Sequence, residues 1–264
     1  MNVTTDRIRR SISLAALALL LPAAIFASDV VHAAPAAARV LVVGATGGTG
    51  REVVQQARAK GYKVRALVRD ADKARASLGG DIELVVGDVR TEGTFERAVK
   101  DVDYVVSALG SNSRNDPTNK PEAIDYGAVK SLATAAAAAK VKQIVLVSSI
   151  GVTDPNAPLN RMFDNILLWK FKGEEAVRGS GVAYTIVRPG GLTNDAGGQR
   201  RIKTTQGDPR GAGGRIPRAD VAAICVNALG RRDAERRTFE VVSDEAQGTV
   251  DWNTFFAGLT ADAR

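Results

Sequence analysis

The sequence predicts an α/β protein with a doubly wound parallel sheet and helices on both faces, a three-layer αβα arrangement. Two observations predict this fold class. Short apolar runs alternate with helical segments from Arg39 onward, and continuous apolar strands are typical of parallel sheets that helices cover on both sides. The first run also leads into a glycine-rich turn and then a helical segment, as in the opening strand–loop–helix unit of such a sheet.

The strands and helices can be assigned in chain order. Seven short runs rich in β-branched residues fit strands, and they cover residues 39–44, 62–69, 82–87, 103–109, 142–149, 182–189 and 237–243. Helical spacing is clearest at residues 127–140 and 217–229. Right-handed crossovers join such alternating elements into one parallel sheet. We therefore expect residues 39–264 to form a single domain after a linker at residues 34–38.

Residues 1–33 have the layout of a secretory signal. Three arginines precede an apolar stretch that ends at a small-residue cleavage site, Val31-His32-Ala33. The pair Arg9-Arg10 also resembles a twin-arginine signal. We therefore expect export to the periplasm or another extracytoplasmic location. The alternative is an uncleaved leader that anchors the protein in a membrane.

Composition excludes several classes of chemistry. The 264 residues include one histidine, His32 in the leader, and one cysteine, Cys225. A Ser-His-Asp triad, a Cys-His pair and a His-based metal site are therefore not expected after cleavage, and we expect Cys225 to be buried in a helix. The net charge of +7 is dispersed among acidic residues, with few aromatic residues. We expect a small-molecule partner, no metal, no nucleic acid and a monomer or homodimer.

The glycine-rich turn predicts a dinucleotide site. Its spacing is G-x-x-G-x-x-G, and it lies between the first strand and a helix that begins near Thr49. Such glycines allow a tight turn, close approach of the backbone to a diphosphate, and packing of the helix against the sheet. The diphosphate would meet free N–H groups at the positive end of the helix. We expect cofactor contacts from Gly44, Thr46, Gly47, Gly48, Thr49 and Gly50.

The end of the second strand bears on the choice between NADP and NAD. An arginine there can pair with a 2′-phosphate, whereas a carboxylate hydrogen-bonds the 2′-hydroxyl of NAD. Arg69 lies at the strand tip and Asp70 follows it. Asp70 can instead cap the next helix, so we favour NADP(H) over NAD(H).

The third and fourth strands end in turns that would line the same cofactor. Asp88 can accept the adenine amino group, and Val89 can pack against the ring. Ala108, Leu109 and Gly110 end the fourth strand. Both stretches are also compatible with plain turns.

Together these segments resemble the atypical short-chain dehydrogenase/reductase family, the NAD(P)H-binding group close to NmrA-like and flavin/biliverdin-reductase-like proteins. The resemblance is carried by VVGATGGTG, ALVRD, VVGDVR, VVSALG, IVLVSSIG, LLWKFKGEEAVRGSGVAYTIVRPGGL and IPRADVAAICVNAL, which span residues 39–229. It implies a Rossmann-like core with a small C-terminal substrate region, which we assign to residues 189–216 and 244–264.

The resemblance also implies a catalytic site that has lost its usual acid. Lys172 resembles the family lysine that binds the nicotinamide ribose, but Leu168 occupies the position of the catalytic tyrosine. Counting from the end of the fifth strand places Ile150 in the position of the family serine. A shift of one residue places Ser149 there instead, and Ser149 is our candidate for the serine that polarises the substrate. Pro189 and Gly190 would bring backbone close to the nicotinamide.

A Tyr-x-x-x-Lys motif also occurs earlier in the chain. The sequence Tyr126-Gly-Ala-Val-Lys130 matches the family's Tyr-x-x-x-Lys pattern, but it precedes the fifth strand, where the family has no catalytic pair.

A conjugated acceptor such as a flavin, quinone or tetrapyrrole can take its proton from water. We therefore predict an NADP(H)-dependent oxidoreductase acting on a small conjugated or carbonyl acceptor. The alternative is a non-catalytic NAD(P)-binding redox sensor or assembly protein.

Overall fold

The computed structural model describes residues 38–80, 82–112, 116–211 and 213–263. The strands in these residues are β1 (Arg39–Val43), β2 (Lys63–Val68), β3 (Glu83–Val86), β4 (Tyr104–Ser107), β5 (Gln143–Val147), β6 (Ala183–Pro189), β7 (Gly191–Thr193), β8 (Arg200–Thr205), β9 (Arg215–Pro217) and β10 (Arg237–Gln247). The central sheet has the order β3-β2-β1-β4-β5-β6-β10-β8, and β7 pairs with β9 separately. Only β8 runs antiparallel to its neighbour in the central sheet.

Helices cover both faces of this sheet. They are α1 (Gly48–Ala59), α2 (Ala71–Leu78), α3 (Thr94–Ala98), α4 (Val129–Ala138), α5 (Pro158–Met162), α6 (Ile166–Arg178) and α7 (Arg218–Ala228). A π-helical segment, Glu122–Ala128, leads directly into α4, and a short 3-10 turn spans Arg232–Ala234.

The alternation of side chains along β1 shows how the core is divided. Val40 and Val42 pack into the apolar layer that includes side chains of α1, α2 and α7. Leu41 and Val43 point to the opposite face, where α3, α4 and α6 contribute, because successive strand side chains alternate between faces. The predicted doubly wound, three-layer fold is confirmed.

All seven predicted strands are present, but the sequence analysis missed β7, β8 and β9. In β8 only Ile202 is a large apolar residue, half of the residues are exposed and none is fully buried. An edge strand of this kind lacks the apolar run by which buried strands are identified. Cys225 is buried in α7 as expected, and burial raises the pKa of its thiol to about 12.

A buried ion-pair network joins α6 to the sheet. The Arg188 guanidinium on β6 donates to both carboxylate oxygens of Glu174 on α6, at 2.9 and 2.6 Å. It also donates to Glu240 on β10 at 3.1 Å. All three side chains are almost fully buried. The network therefore fixes the rotation of α6 about its own axis and its position on the sheet.

Candidate active site

The loop between β1 and α1 has the backbone geometry that the sequence predicted. Gly44 has φ of +79°, and a Cβ there would lie 2.6 Å from the carbonyl oxygen of Ala108. A Cβ on Gly50 would lie 2.1 Å from the carbonyl oxygen of Gly44. Gly47, at the N-cap of α1, offers no side-chain cap, so the first N–H groups of the helix are available to an anion.

A cavity of about 280 Å³ opens at the carboxyl ends of β1, β2, β3 and β4, and we call it the strand-end cavity. Nine predicted cofactor residues line it together: Gly44, Thr46, Gly47, Arg69, Asp88, Val89, Ala108, Leu109 and Gly110. Gly48, Thr49 and Gly50 instead form the first turn of α1. Contact of these residues with a cofactor stays a prediction.

Asp88 is already paired inside the strand-end cavity. Arg90 donates to it through Nε at 2.9 Å and through Nη2 at 2.6 Å. These hydrogen bonds lower the pKa of Asp88 to about 2. Arg90 also lines the cavity, and the sequence analysis did not single it out although it lies within the quoted VVGDVR stretch. The carboxylate expected to face adenine therefore shares its oxygens with a neighbouring guanidinium.

Arg69 and Asp70 take different roles at the end of β2. Asp70 caps α2, because its Oδ1 accepts hydrogen bonds from the N–H groups of Asp72 and Lys73, each at 3.1 Å. The Arg69 side chain is 65% exposed and lies 3.8 Å from Asp116. The capping interpretation of Asp70 is thus confirmed, and Arg69 retains free donors at the rim of the cavity.

A second cavity of about 320 Å³ adjoins the first, and we call it the helix cavity. Asn112 lines both cavities. The polar part of the helix cavity contains Ser111, Ser149 and Lys170. The Ser149 hydroxyl donates to the carbonyl oxygen of Ile150 at 3.0 Å. Ser149 and Lys170 therefore line one cavity, and Lys172, the lysine selected from the sequence, is not among its lining residues.

The two lysines of α6 point in different directions. Lys170 lines the helix cavity and its Nζ lies 2.7 Å from Asp125 Oδ1. Lys172 is exposed, with its Nζ 4.1 Å from the centre of the Trp169 ring. Residues two apart on an α-helix are separated by about 200° around its axis, so both cannot face one cavity. Lys172 is therefore not among the residues that line the helix cavity with Ser149, and its catalytic role stays a prediction.

The π-helical segment before α4 supplies the partner of Lys170. The Asp125 carboxylate is fully buried and also accepts a hydrogen bond from the Ser111 N–H at 3.2 Å. The close packing depends on Gly173 in α6, because a Cβ there would lie 2.3 Å from the Asp125 carbonyl oxygen. The neighbouring Tyr126 stacks on Trp169, with ring centres 6.0 Å apart. The Tyr126 motif thus begins on the π-helical segment, and Asp125 contributes to the helix cavity only through its ion pair with Lys170.

Pro189 and Gly190, which were predicted to contact the nicotinamide, do not line either cavity. The Pro189 carbonyl accepts a hydrogen bond from the Ile150 N–H at 3.1 Å, and a Cβ on Gly190 would lie 2.5 Å from the Gly214 carbonyl oxygen. Neither residue is among those that line the strand-end cavity or the helix cavity. Their packing explains the Pro-Gly pair structurally, and their contact with a nicotinamide stays a prediction.

Arg218 is a further candidate that the sequence analysis missed. It begins α7 and lies across the first turn of α1, so that a Cβ on Gly48 would approach its Cδ to 2.6 Å. Its Nη1 donates to Asn194 Oδ1 at 2.9 Å. A guanidinium beside the start of α1 adds positive charge where a diphosphate would bind.

The predicted substrate-side segments differ in their placement. Residues 193–200 and 215–220 surround a third cavity of about 570 Å³, in which burial raises the pKa of Asp220. After β10, Trp252 and Phe255 pack together against the apolar core, with ring centres 5.3 Å apart. The involvement of either segment in substrate binding stays a prediction. In the described part of the chain, no group of three or more His, Cys, Asp or Glu residues could hold a metal ion.

Comparison with known proteins identifies the family. The NAD(P)H-binding family matches residues 44–232. An uncharacterized chloroplastic protein of Arabidopsis thaliana is 36% identical over 84% of this chain and 75% of its own length. Sanguinarine reductase of Eschscholzia californica is 32% identical over 84% of this chain and 96% of its own length. A solved structure from Bacillus halodurans, classed as an NAD-dependent epimerase/dehydratase, is 27% identical with a TM-score of 0.72, covering 80% of this chain and 96% of its own.

The comparisons overturn the predicted location. The Arabidopsis protein and further plant relatives are named as chloroplastic, which contradicts the prediction of an exported, periplasmic protein. The leader on which that prediction depended, residues 1–33, lies outside the described residues. Within those residues, no helix combines the length and the apolar character needed to cross a membrane.

Proposed function

The chain belongs to the NAD(P)H-binding family of oxidoreductases, and we propose that it is an NADP(H)-dependent reductase of a small conjugated or carbonyl acceptor. The observation that carries the proposal is the meeting of two cavities at Asn112. One has the glycine loop at its edge, and the other has Ser149 and Lys170. Hydride transfer requires donor and acceptor in contact, which two adjoining cavities allow.

The residues of the strand-end cavity fit a dinucleotide. The glycine loop leaves no room for a Cβ at Gly44 or Gly50, so its backbone can approach a diphosphate closely. Arg69 and Arg90 line the rim at the ends of β2 and β3. Since Asp70 is engaged as the cap of α2, these guanidinium groups favour the 2′-phosphate of NADP(H). When bound, the dihydronicotinamide supplies the hydride.

The helix cavity supplies the protein's own catalytic groups. Lys170 and Ser149 line the same cavity, where the Lys170 ammonium can orient an acceptor oxygen or the nicotinamide ribose. The Ser149 hydroxyl can join it by turning from the Ile150 carbonyl to which it donates. Asp125 holds Lys170 in place. Four residues before Lys170 lies Ile166, which has no proton to donate. A conjugated acceptor suits such a site, because it can take its proton from water as the hydride is transferred.

Cofactor preference tests the first half of the proposal. We expect calorimetry on the purified protein to give tighter binding of NADPH than of NADH. Arg69→Ala should reduce that preference about tenfold, the loss of one charge-assisted contact. Lys63→Ala, at the opposite end of β2, is the matched control and should leave it unchanged. Equal affinity for both cofactors in the unmodified protein would refute the NADP assignment.

A second candidate function is a non-catalytic NAD(P)-binding redox sensor or assembly protein. The observation that favours it is the absence of a hydroxyl at both candidate tyrosine positions, Ile166 and Leu168. Oxidation of NADPH in the presence of flavins, quinones and tetrapyrroles separates the two functions. Tight NADPH binding with no turnover of any acceptor would favour the sensor.

A further inference from the structure

Arg218 carries a positive charge that no carboxylate neutralises within the described residues. Its side chain is partly buried, and its Nη1 donates to a neutral acceptor, Asn194 Oδ1, at 2.9 Å. Other partly or fully buried arginines pair with carboxylates, among them Arg90, Arg178, Arg188 and Arg231. A guanidinium that lacks a counter-charge in a partly buried position favours an anionic ligand.

The Arg218 side chain lies over Gly48, the first residue of α1. A Cβ on Gly48 would lie 2.6 Å from Cδ and 2.7 Å from Nε of Arg218, so Arg218 occupies the space that a side chain at position 48 would need. The guanidinium carbon lies 3.6 Å from the same Cβ position. Gly47, the preceding residue, lines the strand-end cavity. Arg218 is not among the lining residues, and it lies beside the helix end that is expected to hold the diphosphate.

Two contacts between distant segments fix Arg218 at this place. Gln56 on α1 donates through Nε2 to the Ala219 carbonyl oxygen at 2.9 Å, which holds the first turn of α7 against α1. Asp220 Oδ1 accepts a hydrogen bond from the Gly198 N–H at 2.6 Å, which ties the segment after β7 to the same turn. That segment contains Asn194, so the packing of α7 sets both Arg218 and its hydrogen-bond partner.

The first turn of α1 contains no acidic residue and no side-chain cap. An anion there meets the partial positive charge of the helix end and the full charge of Arg218. We propose that Arg218 binds the diphosphate of the dinucleotide and that Asn194 is the positioning residue for its guanidinium. This inference rests on the proposed function, to whose cofactor site it adds a residue. Because NADP(H) and NAD(H) share the diphosphate, Arg218 contributes to the affinity for both and not to the choice between them.

The test uses ADP-ribose, which has the diphosphate but neither the nicotinamide nor a 2′-phosphate. In calorimetric titrations we expect Arg218→Gln to weaken the Kd for ADP-ribose, NADPH and NADH about tenfold each. The preference for NADPH over NADH should therefore survive in Arg218→Gln, in contrast to Arg69→Ala. Arg232→Gln removes the same charge from an exposed residue after the other end of α7 and should leave all three values unchanged.

Two further measurements distinguish diphosphate binding from a merely structural role. The affinity for ADP-ribose should depend less steeply on salt concentration in Arg218→Gln than in the unmodified protein, because one contact between opposite charges is lost. Arg218→Lys retains the charge and should retain the salt dependence. Asn194→Ala should weaken ADP-ribose binding about threefold in the unmodified protein and have no effect in the Arg218→Gln background, because the two residues act as a unit.

The outcomes separate this inference from the proposed function. Unchanged ADP-ribose affinity in Arg218→Gln, in a protein that oxidises NADPH, would overturn the inference and leave the reductase. Binding of ADP-ribose that depends on Arg218, in a protein that turns over no acceptor, would support the inference and reject the reductase. Equal salt dependence in the unmodified protein and Arg218→Gln, or absence of ADP-ribose binding to the unmodified protein, would also overturn the inference.

Discussion

The strand-end cavity and the helix cavity meet at Asn112 but are built in different ways. The first is formed by residues at the carboxyl ends of parallel strands, where Gly44 must be glycine because of its φ and its distance to Ala108. The second is formed by residues of α5 and α6 together with loop residues such as Ser111, Pro121 and Ser149. A backbone site imposes local sequence requirements that can be recognised along the chain. A side-chain site between helices depends on the rotation of each helix, which no short stretch reveals.

The largest expected effect distinguishes the two faces of α6. Lys170→Ala should lower kcat about 1000-fold, or about 4 kcal/mol, because it removes the ammonium that lines the helix cavity. Lys172→Ala removes only an exposed contact with Trp169 and should leave kcat unchanged. Steady-state kinetics with NADPH and a quinone measure both. Comparable losses in the two variants would mean that the resemblance identified Lys172 correctly.

A smaller effect tests whether backbone crowding defines the strand-end cavity. Gly44 and Gly61 both have positive φ, of +79° and +83°, but only Gly44 has an atom that a Cβ would meet. Gly61→Ala should lower the free energy of unfolding by about 1 kcal/mol, from backbone strain alone. Gly44→Ala should lower it by about 2 kcal/mol more, from overlap with the Ala108 carbonyl. Urea denaturation measures both, and equal losses would remove the argument for a required glycine.

The smallest effect concerns the side-chain ion pair within the strand-end cavity. Hydrogen bonds from Arg90 lower the folded-state pKa of Asp88 from 3.8 to about 2. The resulting stabilisation is present above pH 3.8 and is lost as pH falls through about 2. It should amount to about 1 kcal/mol, because solvent screens the partly exposed pair.

Arg90→Ala provides the comparison for this pH dependence. The difference in the free energy of unfolding between the unmodified protein and Arg90→Ala should be constant near neutral pH and should shrink toward zero in strong acid. Denaturant titrations at a series of pH values measure it. A difference that is independent of pH would show that Asp88 and Arg90 are not coupled in solution.

Much of the strand-end cavity was predictable because its determinants are local. Arg69, Asp88 and Gly110 each follow a recognisable apolar strand, and parallel strands bring their carboxyl ends to one edge. Arg90 was missed although it lies two residues after Asp88, because a guanidinium in a turn has no distinctive pattern. Arg218 was missed for another reason, since only the packing of α7 against α1 brings it to Gly48.

The amino-acid sequence by itself determined the doubly wound parallel fold, the glycine loop and the NAD(P)H-binding family, because apolar periodicity and the need for glycine are properties of neighbouring residues. The tertiary structure decided which lysine lines the helix cavity with Ser149. That choice depends on the rotation of α6, which the Arg188 network holds and which the close approach at Gly173 directs toward Asp125. Lys170 and Lys172 are separated by about 200° around the axis of α6. Contacts between distant segments therefore determine which of the two lysines lines the helix cavity.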